Sequence, residues 1–575
     1  MTEKLGTQTP DTGRAPDGTV QGSPKVAVDF DVPARMRDGN VLRANVYRPE
    51  GAGPWPVLLA RLPYFKDSPM LASVLDPVQT AHRGFMVVVQ DTRGRFASEG
   101  EWEPFRYERE DGFDSVEWAA RLPGSNGRVG MFGGSYFGNT QWMAAIQRPP
   151  SLAAISPMVT WCDPMDGLFA RGGAVELGLE LAWTLQTGAA YLLRLPISEE
   201  ERARRLVAIV AEYDSLPTKG YWDLPVKTGE IQGHQLPSLG AIPVLTNPDV
   251  ATWCRVAGNH QRVTVPTFHT AGWYDVFLQG TLDNFRAMRD LGRDARLVVG
   301  PWSHGEFGDA VGDLRFGLPA SRVGAAVHPY GDVNDFQLAW FGQHLKSDSS
   351  VELPEPRVRL FVMGRNAWRD ENEWPLQRAE IQRHHLRADG SLTTAGPAAD
   401  EGATEFLYDP SDPVPTVGGQ TVMMSAFPSG PKEQARVEAR PDVCVFTSEP
   451  LDEEFEVTGR VRVVLHAVSS APSTDWVARL CDVHPDGRSY NLCDGIVRTG
   501  QNASSVGCYE VDLWSTSNVF LPGHRIRVHV TSSSFPRWDR NLNTGDQDSP
   551  RHQVAQQRLF HDADRPSFIE LPVIR

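Results

Sequence analysis

The sequence predicts an α/β protein with a doubly wound core, a helical insertion and an all-β C-terminal part. Three observations carry this. From about residue 25 to 160, nearly continuous apolar runs alternate with stretches of helical spacing, and the pattern returns over 250–352. Residues 163–249 are helical in texture, with no clear strand. After 352 the apolar residues recur at every second position.

The elements follow in order. "PVLLARL" (56–62) and "FMVVVQD" (85–91) read as strands buried on both faces, as in a parallel sheet. "DGFDSVEWAARL" (111–122) places Phe113, Val116, Trp118 and Leu122 at helical spacing. "RVGMFGGS" is a strand, "YFGNTQWMAAIQ" (136–147) is compatible with a helix, and "LAAISPMV" (152–159) is a strand again. Helices are predicted in 174–193 and 199–213. The alternation resumes with "VTVPTFHTAGWYD" (263–275), "RLVVGPWSH" (296–304) and a helix over 333–345. "FEVTGRVRV" (455–463) and "RIRVHVTSS" (525–533) have period two with one polar face, which predicts antiparallel sheets of a sandwich or jelly roll. The expected organisation is a flexible tail over 1–24, an α/β domain in two parts (25–162 and 250–352), a helical cap (163–249) and a β-sandwich (353–575).

Composition sets the class. With 575 residues the chain exceeds one core, and 41% hydrophobic with 22% charged residues is that of a globular protein. A net charge of −16 without a basic stripe argues against nucleic-acid or anionic-membrane partners. No apolar run reaches spanning length and no signal peptide is legible, so a cytoplasmic location is expected. A homodimer is left open. Cys162, Cys254, Cys444, Cys481, Cys493 and Cys508 are scattered without CxxC spacing and are expected as reduced thiols.

The chemistry centres on "RVGMFGGSYFGNT" (128–140). Ser135 follows a buried-type strand and precedes a helix, the setting of a nucleophile elbow. A hydroxyl there faces free N–H groups and the positive end of a helix dipole. The pattern departs from G-x-S-x-G, because Phe137 stands where glycine is expected and Gly138 comes one later. On this stretch alone a nucleophile and a simple strand–helix connector are both open. A serine needs a base, and the base needs a carboxylate to fix its tautomer. Asp275 and His304 each end a strand-like run, in the chain order Ser, acid, His. His269 lies inside a strand run and is expected to pack. His344 falls in a helix, and His384 and His385 fall at the start of the β region.

At this point the sequence resembles the cocaine esterase and glutaryl-acylase group of serine hydrolases, relatives of the X-Pro dipeptidyl-peptidases. The matching pieces are "RLPYFK", "DTRGRFASEG", "GGSYFG", "GWYDVF", "GPWSHG", "FVMGRNAWRDENEWPL", "LYDPSDPVPTVGG" and "TSNVFLPGHRI", in one order along the chain. The resemblance implies an α/β-hydrolase domain, a helical cap and a C-terminal jelly roll. It implies Ser135 as nucleophile, His304 as general base and acid, and Asp275 as its orienting partner. It also implies an oxyanion hole from the Tyr64 hydroxyl and the Tyr136 backbone N–H. Trp183 and Phe277 are candidates for an apolar acyl pocket, with plain core packing as the competing reading. "DTRGRFASEG" is expected to be a structural loop in which Asp91 pairs with Arg93.

Relatives that take α-amino acid esters carry a carboxylate just after the Ser-Tyr pair, where this chain has Phe137. A neutral aromatic or aliphatic acyl group is therefore expected, on a small-molecule ester. The alternatives are amide or β-lactam side-chain acylase action, X-Pro dipeptidyl-peptidase action, and a non-catalytic ligand-binding protein. No cofactor and no metal are called for, since HExxH, a cysteine cluster and a phosphate loop are all missing from the sequence.

Overall fold

The structure is a computed structural model that describes residues 25–228, 233–323, 331–346, 353 and 355–575. The expected tail over 1–24 lies outside the described residues, as does residue 352 at the expected boundary between 352 and 353. A ten-stranded sheet forms the first core. At its centre, parallel strands run in the order Met86–Asp91, Trp55–Leu62, Ser125–Gly134, Leu152–Met158, Thr267–Tyr274, Ala295–Ser303 and Val358–Val362. These strands are almost wholly buried, as their unbroken apolar runs require. Helices Glu108–Ala120, Tyr136–Gln147, Leu278–Asp290 and Val333–Leu345 cover the faces. This is the α/β-hydrolase arrangement. Two strands past residue 352, Val358–Val362 and Ala367–Glu371, complete the sheet, so it extends further along the chain than the strand–helix alternation indicates.

Between the two halves lie helices Leu177–Tyr191 and Glu199–Ser215. The first is apolar almost all round and buried, and the second buries only Ile209 and Glu212 fully. The region also has a two-residue hairpin, Ala170–Arg171 with Ala174–Val175, too short to leave a periodic signature.

The C-terminal part is a jelly-roll sandwich of a seven-stranded and a four-stranded antiparallel sheet. In the strand Phe455–Ser469 the expected alternation holds from Val461 on, with Val461, Val463 and Leu465 buried and Arg462 exposed, whereas Glu456 and Thr458 are buried along with Val457. The four-stranded sheet departs from it: Asp475–Val483 is buried on both faces. Its polar side turns towards the rest of the molecule and is neutralised there. Arg537 holds Asp494 at 2.7 Å and faces Glu176 at 3.7 Å. The Arg171 guanidinium donates to the backbone oxygens of Asp494 (2.7 Å) and Asp512 (2.9 Å) and lies 3.6 Å from the Trp514 ring centre. A charge pattern that reads as a solvated face is thus an interdomain seam.

Asp91 and Arg93 do not pair. Residues two apart at a strand exit need not share partners, because the chain turns there. Asp91 accepts from the Lys66 backbone N–H (2.8 Å) and faces its ammonium at 3.4 Å, whereas Arg93 grips Asp111 (2.5 Å) and Asp38 (2.6 Å). All six cysteines are free thiols, five buried and Cys508 exposed. Among the described residues no helix is long and apolar enough to cross a membrane.

Candidate active site

Ser135 sits between the strand Ser125–Gly134 and the helix Tyr136–Gln147, with φ +57° and ψ −126°. This region is costly for a residue with a side chain and marks a strained, deliberate turn. Two glycines make the turn fit. Gly133 has φ +134°, and a Cβ there would lie 2.0 Å from the Phe137 ring. Gly138 faces Thr160 and the Met158 carbonyl oxygen, where a Cβ would come within 2.8 and 3.0 Å. The late glycine is therefore where the helix crosses the next strand, and Phe137 lays its ring in the space Gly133 leaves.

Asp275 and His304 follow adjacent parallel strands. Ser303 is paired with Tyr274, so the residues after them stand side by side at the sheet's C-terminal edge. His304 Nδ1 lies 2.6 Å from Asp275 Oδ2, and His304 Nε2 lies 3.0 Å from Ser135 Oγ. A carboxylate only accepts, so Nδ1 carries the proton and Nε2 is left to accept from the serine hydroxyl. Asp275 is fully buried, and its other oxygen accepts from the Phe277 N–H at 2.7 Å. The imidazole ring meets the Phe277 ring edge-on at 5.2 Å, which fixes its plane.

Tyr64 and Tyr136 flank the serine. Tyr64 lines the same cavity as Ser135, and burial pushes its phenol up to about 12. Its oxygen accepts from the Trp183 indole N–H at 3.0 Å, which leaves its own hydrogen free to donate elsewhere. The Tyr136 N–H belongs to the first helical turn, whose N–H groups have no intrahelical acceptor. The Tyr136 phenol points away from the serine, donating to Glu108 and accepting from the Phe105 N–H, both at 2.9 Å. Burial raises the Glu108 carboxyl above its ordinary range, and Arg61 faces it at 2.9 Å.

A cavity of about 400 Å³ opens on Ser135 and His304. Trp183 and Phe277 both line it, as do Phe105, Trp161 and Phe137. The insertion contributes Leu168, Leu179 and Leu239, and the C-terminal part contributes Val422. Its lining includes no Asp, Glu, Lys or Arg among the described residues.

Sequence reasoning missed Phe105, Trp161 and Arg95. The first two lie in connecting segments with no periodic signal. Arg95 was in plain view within "DTRGRFASEG". Its buried guanidinium donates to the Pro63 oxygen at 2.8 Å and stacks 4.1 Å over Trp102, tying down the turn that carries Tyr64.

The chain matches the X-Pro dipeptidyl-peptidase (S15 family) over residues 38–306 and the X-Pro dipeptidyl-peptidase C-terminal non-catalytic domain over 351–570. It is 37% identical to a cocaine esterase of Rhodococcus sp. (strain MB1 Bresler), over 97% of this chain and 100% of that protein. Among solved structures, it superposes on an aminopeptidase from a marine sediment archaeon, Thaumarchaeota archaeon, with a TM-score of 0.75 and 25% identity over 100% of both chains. An α-amino acid ester hydrolase gives a TM-score of 0.73 and 25% identity, over 99% of this chain and 100% of that one. The paired domains, the hydrogen-bonded Ser–His–Asp geometry and the full-length likeness lead to one assignment: the chain belongs to the X-Pro dipeptidyl-peptidase (S15) family of serine hydrolases, in the group that includes cocaine esterase.

Proposed function

We propose that this protein hydrolyses small carboxylic esters with a neutral aromatic or aliphatic acyl group, through an acyl-enzyme on Ser135. The observation that carries the reading is the hydrogen-bonded chain Ser135–His304–Asp275 opening on a pocket with an apolar, uncharged lining. Ser135 Oγ attacks the carbonyl carbon as His304 Nε2 takes its proton. Asp275 stabilises the imidazolium. The oxyanion is held by the Tyr64 hydroxyl and the Tyr136 N–H. His304 then protonates the leaving alcohol, and a water molecule, deprotonated by the same ring, releases the acid and frees Ser135. Residues 163–249 act as the cap, since Leu168, Leu179, Trp183 and Leu239 roof the pocket.

The absent carboxylate separates this reading from aminopeptidase-type action. A free α-ammonium entering the pocket would lose its hydration without gaining a charged partner. A fluorophosphonate probe tests the nucleophile. Peptide mapping is expected to place the adduct on Ser135, and Ser135→Ala is expected to abolish it. A folded wild-type protein that stays unlabelled would instead favour a non-catalytic ligand-binding protein.

A further inference from the structure

Away from this site, Asp482, His484 and His524 meet at one end of the four-stranded sheet. The strands Asp475–Val483 and Arg525–Thr531 are antiparallel neighbours with Val483 paired to Arg525. The register therefore carries His484 and His524 directly opposite one another, just past the ladder. Their ring centres are 4.5 Å apart. His524 Nδ1 lies 2.8 Å from Asp482 Oδ1, and one donor atom from each of the three residues falls within 4.8 Å of the others. The frame is stiff: His484 N–H donates to the Arg488 oxygen (2.8 Å), and Leu451 N–H donates to the His524 oxygen (2.9 Å). Asp482 and His524 are buried, and His484 is half-buried.

These side chains border a cavity of about 310 Å³ between the jelly roll and the hydrolase sheet. The hydrolase side of that cavity includes Tyr274. Its hydroxyl is fully buried and has no hydrogen-bond partner among the described residues. A buried phenol without a partner is costly, and a polar occupant of the cavity would relieve it.

We propose that Asp482, His484 and His524 bind one divalent transition-metal ion of the zinc or cobalt class, with a metal-bound water facing the Tyr274 hydroxyl. Two imidazoles and one carboxylate are a donor set suited to such ions and leave a position open for water. Zinc ligands at about 2.0–2.1 Å from a tetrahedral centre stand roughly 3.3 Å from one another, so the Asp482–His524 pair at 2.8 Å opens by about half an ångström as the imidazole proton gives way to the ion. The three donor atoms lie within 4.8 Å of one another, so binding draws the half-buried His484 ring inwards. A second cluster, Glu438, Cys481 and His529, lacks these features: Arg527 already holds Glu438 at 2.6 Å and none of the three borders a cavity among those described. The proposed ion stands apart from ester hydrolysis, which the mechanism above performs without it.

Calorimetric titration of the chelator-treated full chain with zinc and cobalt chloride tests the proposal. One ion per chain is expected, with visible d–d absorption from cobalt. Loss of an outer partner of a metal site costs about 10–100-fold in affinity, so His484→Ala and Asp482→Asn, removing direct ligands, should weaken binding by about 100-fold or more. Circular dichroism on both variants checks that they are folded, and His552→Ala should bind as the wild type does. Magnesium, which prefers oxygen ligands, should give no comparable heat. Absence of stoichiometric zinc or cobalt binding, or equal affinity in folded His484→Ala and wild type, would overturn the proposal.

Discussion

Removing the Tyr64 hydroxyl probes the proposed oxyanion site most directly. Tyr64→Phe deletes one oxygen and keeps the ring, including its edge contacts to Tyr136 and Phe137, each at 6.4 Å between centres. The Trp183 indole N–H loses its acceptor, but it lines an open pocket where water replaces the lost bond. The fold is therefore expected to stay intact. The chemical cost is larger. The Trp183 bond uses the phenol oxygen as acceptor and leaves its single hydrogen free, and in the proposed mechanism that hydrogen meets the developing oxyanion. With the phenol pushed up to about 12, it remains a donor throughout the neutral and mildly alkaline range. One preorganised donor of this type supplies about 2.7–4 kcal/mol to the transition state, or roughly 10²–10³ in turnover. The Tyr136 N–H stays in place, so activity should fall by that factor rather than vanish. Stopped-flow hydrolysis of 4-nitrophenyl benzoate reads acylation directly. The loss should appear in the acylation rate and kcat, with KM changed by less than about threefold, because the bond strengthens only in the transition state. Acylation within about threefold of wild type in a folded variant would refute the placement of Tyr64 at the oxyanion.

Two further outcomes follow from the same structure. An ester of phenylalanine and the matching ester of 3-phenylpropanoic acid differ by one ammonium, and the uncharged pocket should favour the latter by about 100-fold in kcat/KM, since burying an unpaired charge costs several kcal/mol. Equal kcat/KM for the pair would end the neutral-acyl reading. Separately, burial lowers the His269 imidazole from 6.5 to about 3. Between those values the unfolded chain holds a proton that the folded chain refuses, so stability is full above 6.5 and falls as pH drops, by up to about 1.4 kcal/mol per unit from this group. Urea unfolding at a series of pH values should show a shallower acid limb for His269→Leu, and an unchanged slope would remove His269 as its source.

What could be read from the sequence divides along a physical line. The elements that carry Ser135, Asp275 and His304 are buried strands and the turns right after them. Their signal is local: an unbroken apolar run, then a break. A parallel sheet places every such break on the same edge, so chain-local patterns were enough to anticipate which three residues the fold brings together. Tyr64 needed more, because nothing in "RLPYFK" says that its phenol turns inward. That depends on Arg95, 31 residues on, holding the Pro63 oxygen, and on Trp183 in the insertion. Phe105 and Trp161 are further cases, placed by loops whose paths are fixed only by tertiary packing. The buried four-stranded sheet is the extreme one. "DWVARLCDV" carries two aspartates and an arginine, which do not fall on one face of a period-two strand and give no clean alternation. In the folded chain Arg479 and Arg537 flank Asp494, and Arg171, more than 300 residues earlier in the chain, donates to the backbone oxygens of Asp494 and Asp512 inside two neighbouring strands. Charge in a strand reports exposure only when nothing in the fold faces it: here Asp475 is held by Arg498 of the paired strand, Arg479 faces Asp494, and Asp482 meets His524, all within the sandwich. The seam itself is closed by Arg171 on the backbone oxygens of Asp494 and Asp512 and by Glu176 facing Arg537, and only the assembled fold separates a covered polar strand from a solvated one.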